Sequence, residues 1–117
     1  PDMPAQYNFL GDARIWRGNT RTITFRFKNA DSSPVDLTGS TLEFRAVNAA
    51  GAEIVKRNMT VAAPSTGEAV IALTASETAT FTEGQRNRYE VERRISSTEE
   101  TLIYGTITAE GGINTNV

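Results

Sequence analysis

Apolar and polar residues alternate along most of this chain, and the alternation is clearest between Thr20 and Asn29. There Ile23, Phe25 and Phe27 fall on one side and Thr22, Thr24, Arg26 and Lys28 on the other. A period of two with one wet face predicts a half-buried β-strand. The same period recurs in Thr41 to Val47 (Leu42, Phe44 and Ala46 on one face) and in Glu68 to Leu73 (Ala69, Ile71 and Leu73). Asn87 to Ile95 places Tyr89, Val91 and Ile95 inward and Glu90, Glu92 and Arg94 outward. Asp12 to Trp16 and Glu53 to Val61 read as weaker strands, and Glu100 to Ala109, apolar on both faces at Leu102, Ile103, Tyr104 and Ile107, as a central one.

Turn residues punctuate these runs. Arg17-Gly18-Asn19-Thr20, Asn48-Ala49-Ala50-Gly51 and Ala63-Pro64-Ser65-Thr66-Gly67 supply Gly, Asn and Pro where the chain must reverse. The sharpest corner is expected at Ser33-Pro34-Val35-Asp36-Leu37-Thr38-Gly39. Pro34 fixes its own φ, Asp36 and Thr38 can bond nearby amides, and Gly39 can take φ > 0. Leu37 is the large apolar residue of the turn and is expected to press it onto the core. The one helical candidate is a single turn near Ser76–Thr80, capped by Ser76 and followed by an inserted Phe81. The pattern predicts an all-β chain: a single antiparallel two-sheet sandwich of immunoglobulin-like architecture with about seven strands. Residues 1–9 read as an N-terminal arm, 10–110 as the sandwich and 111–117 as a C-terminal tail.

Composition narrows the chemistry. The chain has 117 residues, a net charge of −2 and no cysteine or histidine, so it lacks a thiolate, the commonest metal ligand and the commonest general base near neutral pH. No cofactor is expected. Basic and acidic residues are interspersed, whereas nucleic-acid and anionic-membrane binders need a basic stripe. No apolar run approaches the ~18 residues of a spanning helix, and no charged-then-apolar leader pattern opens the chain. An intracellular protein, or one carried in a larger particle, is expected. Cys-Trp-Cys spacing is absent, which excludes an antibody-type domain.

Candidate sites are few. Glu90 and Glu92 lie two apart on one strand face, a spacing within reach of glycosidase acid and base pairs. They also fit a solvated stripe, with Arg26, Arg45 and Arg94 as cross-strand partners. Asp31 and Asp36 fit local turn bonding better than a calcium loop. Asn58-Met59-Thr60 matches a glycosylation acceptor, a pattern too short to use. Trp16, Tyr7 and Phe9 form a possible stacking platform for a sugar ring, although a lone Trp in a small sandwich is more often core. The weak Glu53 to Val61 strand offers Glu53, Lys56 and Arg57 as edge guards, and the arm carries Tyr7, Phe9 and Leu10 without an obvious core slot. Tyr7, Phe9, Leu10, Lys56 and Arg57 therefore form the candidate partner surface.

The order Ile15-Trp16-Arg17-Gly18-Asn19-Thr20, then Pro34-Val35-Asp36-Leu37-Thr38-Gly39-Ser40-Thr41-Leu42-Glu43-Phe44-Arg45, then Gly67-Glu68-Ala69-Val70-Ile71, then Tyr89-Glu90-Val91-Glu92 resembles a recurrent tailed-phage domain. It is similar to the N-terminal domain of phage baseplate upper proteins and to small tail-associated phage or prophage proteins. Asn19 stands where those domains usually have an acidic residue. The resemblance implies a non-enzymatic structural module of the virion or tail, found in the particle or in host cytoplasm before assembly. Its implied partners are other phage structural proteins, with self-assembly in the particle, and neither nucleic acid nor membrane. A glycan-binding, host-surface adhesion module is the alternative.

Overall fold

A computed structural model describes residues 6–8, 13–29, 31–84 and 86–111. The strands are β1 Gln6–Asn8, β2 Ala13–Trp16, β3 Arg21–Lys28, β4 Thr41–Val47, β5 Glu53–Asn58, β6 Thr60–Ala63, β7 Glu68–Leu73, β8 Arg86–Ile95 and β9 Thr98–Glu110. A 3-10 turn at Pro64–Thr66 and a short helix α1 at Ala75–Ala79 complete the described elements. One sheet runs β1-β3-β7-β6 and the other β2-β9-β8-β4-β5, the two-layer sandwich that the alternation predicts.

The pairing is antiparallel with one exception: β2 runs parallel to β9, with Ile15 opposite Ala109 and Trp16 opposite Glu110. Two further strands exceed the expected seven. Within the expected arm, Gln6–Asn8 extends the edge of the four-stranded sheet, Tyr7 standing opposite Phe27. Glu53 to Val61 is not one strand, because the chain changes sheets at Met59. That residue is buried and its N–H donates to Leu42 O at 2.8 Å, so β5 ends in one sheet and β6 begins in the other. No glycine or proline marks this crossing.

Between the layers lies a core whose centre is aromatic. Phe25 and Phe27 from β3 stack at 5.7 Å, and Phe44 from β4 stacks on Tyr89 from β8 at 5.9 Å. Phe25 tilts against both Phe44 and Tyr89, at 6.1 and 5.9 Å, and so joins one sheet to the other through ring contacts that each add about 1 kcal/mol beyond area burial. Tyr89 lies over Gly105, where a Cβ would stand 3.0 Å from the ring. Glycine in the middle of β9 weakens the strand locally, but it leaves the room that the tyrosine fills.

A second glycine is tighter. At Gly67 (φ +73°) a Cβ would meet Phe27 O at 2.6 Å and Val35 O at 2.9 Å, both backbone atoms that cannot swing away. Gly39 has a similar φ of +77° and nothing within 4 Å of its missing Cβ. The pair separates backbone strain from collision. Gly39→Ala is expected to cost about 1 kcal/mol from the left-handed conformation alone, and Gly67→Ala about 3 kcal/mol or more once overpacking is added. Urea melts of the two variants test this, and equal losses would remove the collision argument.

Candidate functional site

The corner folds by the local chemistry expected of it. Asp36 Oδ1 accepts from the Thr38 N–H at 3.0 Å and from the Thr38 hydroxyl at 2.6 Å, and the Ser40 N–H closes the turn on Leu37 O at 2.9 Å. Pro34 bridges to Lys28 at the end of β3, and Gly39 takes its positive φ. Leu37 is buried, but it is not the lone peg: Val35, two positions earlier on the same side, is buried as well. The main chain anchors both, Val35 N–H donating to Phe27 O at 3.0 Å and Leu37 N–H to Pro64 O at 2.8 Å. Arg93, which the sequence did not single out, straps the corner to β8 through Ser40 Oγ (2.9 Å) and Asp36 O (3.1 Å).

Bonds to Thr38 hold the Asp36 carboxyl below the usual carboxylate range, and bonds to Ser33 do the same for Asp31. Both aspartates thus belong to turns.

Helix α1 shows how strongly the remaining charges are committed to structure. Its cap is Thr74, not Ser76. Thr74 Oγ1 accepts from the Glu77 N–H (3.1 Å) while Glu77 Oε1 accepts from the Thr74 N–H (2.9 Å), a reciprocal capping box. Ser76 lies two positions past the cap, already inside the first turn. Arg57 reaches across from β5 and donates to Glu77 Oε1 at 2.6 Å and to Ala72 O at 2.7 Å. Arg17 clasps the other end of the helix through Ala79 O (2.8 Å) and Phe81 O (3.0 Å). Beside it the buried Thr78 hydroxyl accepts from the Gly18 N–H at 2.9 Å and faces Asn19 O at 2.8 Å. A five-residue helix has little stability of its own, so these two arginines hold it in place. Arg57 is consequently a latch between the sheets and not a free edge guard.

The outward carboxylates divide in the same way. Glu92, Glu43 and Glu99 surround Arg94, at 2.8, 3.2 and 3.5 Å, and with Glu43 as the largest influence they raise the Arg94 pKa. Arg26 pairs with Glu68 at 3.6 Å and Arg45 with Glu53 at 3.0 Å. Glu90 stands apart from this network, opposite Arg45 on one side and Tyr104 on the other. Glu90 and Glu92 therefore have different surroundings, Glu92 in the Arg94 cluster and Glu90 outside it.

Exposed aromatics provide the other candidate surface. Trp16 is 57% exposed, contrary to the core placement expected of a lone Trp, because Ile15 takes the inward position and the strand alternation turns Trp16 out. Tyr104 is 78% exposed. Both residues belong to the outer face of the five-stranded sheet, but six positions along β9 separate the partner of Trp16, Glu110, from Tyr104, about 20 Å of strand. Tyr7 contributes to the opposite sheet, and Phe9 and Leu10 lie outside the described residues. Trp16 and Tyr7 thus belong to strands of different sheets. Lys56 is exposed on β5, opposite Arg45.

No protein-family model matches the sequence, and no curated protein does. Among solved structures the chain is similar to the Lin-41 filamin domain, with a TM-score of 0.52 and 13% identity over 93% of this chain and 96% of that one. The fold is immunoglobulin-like. At that identity the likeness concerns architecture alone, and the immunoglobulin-like sandwich here supplies two layers, their open edges and two separate outward-facing aromatics, Trp16 and Tyr104.

Two outcomes are expected. Arg57→Ala is expected to lower stability by about 1–3 kcal/mol, because Glu77 and Ala72 O lose a shared donor; a melt indistinguishable from the parent would show that the latch is dispensable. For Asp36 the folded pKa is depressed, so its contribution is present above the unfolded value of about 3.9 and is lost as pH falls through the folded value. The stability gap between the parent and Asp36→Ala is therefore expected at pH 7 and is expected to close in acid, as followed by urea melts at successive pH values.

Proposed function

We propose that this chain is a non-enzymatic structural module of a phage or prophage virion or tail that works by protein–protein assembly. The phage assignment rests on the resemblance of the Ile15–Thr20, Pro34–Arg45, Gly67–Ile71 and Tyr89–Glu92 segments to the baseplate upper protein domain. The assembly mode has a physical support of its own, which is the β5 edge. Among the described residues Glu53–Asn58 pairs only with β4 and closes one side of the five-stranded sheet. An edge of this kind offers a row of backbone donors and acceptors to a partner strand unless charges or prolines guard it. Its guards are thin, because Arg57 is turned inward to Glu77 and Glu53 is paired with Arg45, leaving Lys56. Just beyond Met59, β6 forms the edge of the other sheet, so both open edges on this side of the sandwich lie close together in the chain.

Tailed particles banded from the source bacterium are expected to carry this chain, and amides of residues 53–58 are expected to exchange more slowly in the particle than in the free protein. Absence from the particles while free protein is abundant in the same lysate would overturn the virion reading. Presence in the particles with unchanged exchange over 53–58 would move the assembly surface elsewhere.

A further inference from the structure

The outer face of the five-stranded sheet, beside the turn that enters β5, holds a depression of about 370 Å³, near the lower end of the range occupied by small-molecule sites. Its floor is two cross-strand rows. Arg45, Glu90 and Tyr104 form one, and Val47 and Arg88 the next. Adjacent strands lie about 4.8 Å apart and successive same-face residues about 6.8 Å apart, so Tyr104, Glu90 and Arg88 can touch one ring-sized ligand together. Gly51, in the turn between β4 and β5, forms part of the rim without a side chain to fill it.

The chemistry of these groups is specific. Tyr104 presents its ring at 78% exposure, an apolar face with a polar tip. Arg45 is already oriented by Glu53 at 3.0 Å. The side chains of Arg88 and Glu90 have no hydrogen bond or ion pair to any described residue, unlike Arg94, which Glu43, Glu92 and Glu99 surround. An apolar ring face, a planar donor with two parallel N–H groups and an acceptor carboxylate around one depression match a sugar: one face of the pyranose lies on the aromatic ring and vicinal hydroxyls reach the carboxylate. Arg88, whose guanidinium is not taken by an ion pair with any described residue, further suits a sugar that carries a carboxylate, which it can hold by two parallel bonds.

We propose that this depression is a saccharide site with a preference for acidic sugars, Tyr104 supplying the stacking surface, Arg88 the carboxylate contact and Glu90 the hydroxyl acceptor. The site lies on the face of the sheet and not along the backbone edge of β5, so it is compatible with assembly through that edge. The test is an amide-resolved NMR titration of the full chain with 3′-sialyllactose and digalacturonate as acidic probes and lactose as the neutral one. Saturable shifts in the millimolar range are expected at residues 45–51, 88–90 and 103–106, with lactose about five-fold weaker, the worth of one exposed ion pair. Tyr104→Ala is expected to abolish the shifts. Arg88→Ala is expected to reduce the acidic sugars to the lactose level; both side chains face solvent, so neither change threatens the fold. No saturable shift with any of the three sugars, shifts centred on Trp16, or an unaltered response in Tyr104→Ala would overturn the proposal, and lactose binding as tightly as the acidic probes would overturn the acidic preference.

Discussion

The close approach of three backbone segments at Gly67 is the constraint on which the sandwich depends. The end of β3, the corner after Pro34 and the turn before β7 meet there with Phe27 N–H on Gly67 O at 2.9 Å and Val35 N–H on Phe27 O at 3.0 Å. No side chain fits between them. This contact lets Leu37 reach Pro64 O and drop its side chain into the core. It also sets the path into β4 and fixes where Phe44 meets Phe25. A backbone-to-backbone junction of this kind is stiffer than a side-chain contact, because neither partner has a rotamer to change.

Much of the architecture was legible in the chain because period-two alternation and turn chemistry act locally. Ile23, Phe25 and Phe27 could only be one face of a strand, and the Asp36, Thr38 and Gly39 spacing carries its own turn. What escaped sequence reasoning depended on distant partners. Met59 has no glycine or proline beside it to mark the change of sheet, since the signal is a hydrogen bond to Leu42. Gly67 read as ordinary punctuation because the crowding comes from Phe27 and Val35, 40 and 32 positions away by their numbers. Trp16 was misplaced by a general tendency of tryptophan that the position of Ile15 overrides.

The candidate surfaces follow the same division. Arg57 looked like a solvated guard from its neighbours in sequence, and only the placement of Glu77 beside β5 turns it into a latch. Asn87 gave no sequence signal, yet it is buried, and its side chain bonds Thr82 N–H at 2.9 Å, Thr82 O at 3.1 Å and Ile107 O at 3.1 Å, tying the segment after α1 to the centre of the sheet. Tyr104 was read as one of the apolar residues of a central strand. The strand is central, between β2 and β8, but the tyrosine is on its wet side, where an aromatic side chain has no folding role to fill. A buried amide and an exposed ring are each unusual for their residue type, and both become visible only when the register is known.

The parallel pairing of β2 with β9 gives the domain a direction under tension. β2 is near the beginning of the described chain and β9 at its end, and they point the same way. A load entering through the segments that flank the domain would pull the two strands past each other lengthwise. Every hydrogen bond of that ladder would then bear the force at once, whereas an antiparallel hairpin pulled from its open end unzips one bond at a time. Arg17, whose N–H donates to Glu110 O at 2.8 Å and whose side chain clasps α1, extends the ladder by one rung beyond Trp16. The seam is built to resist shear.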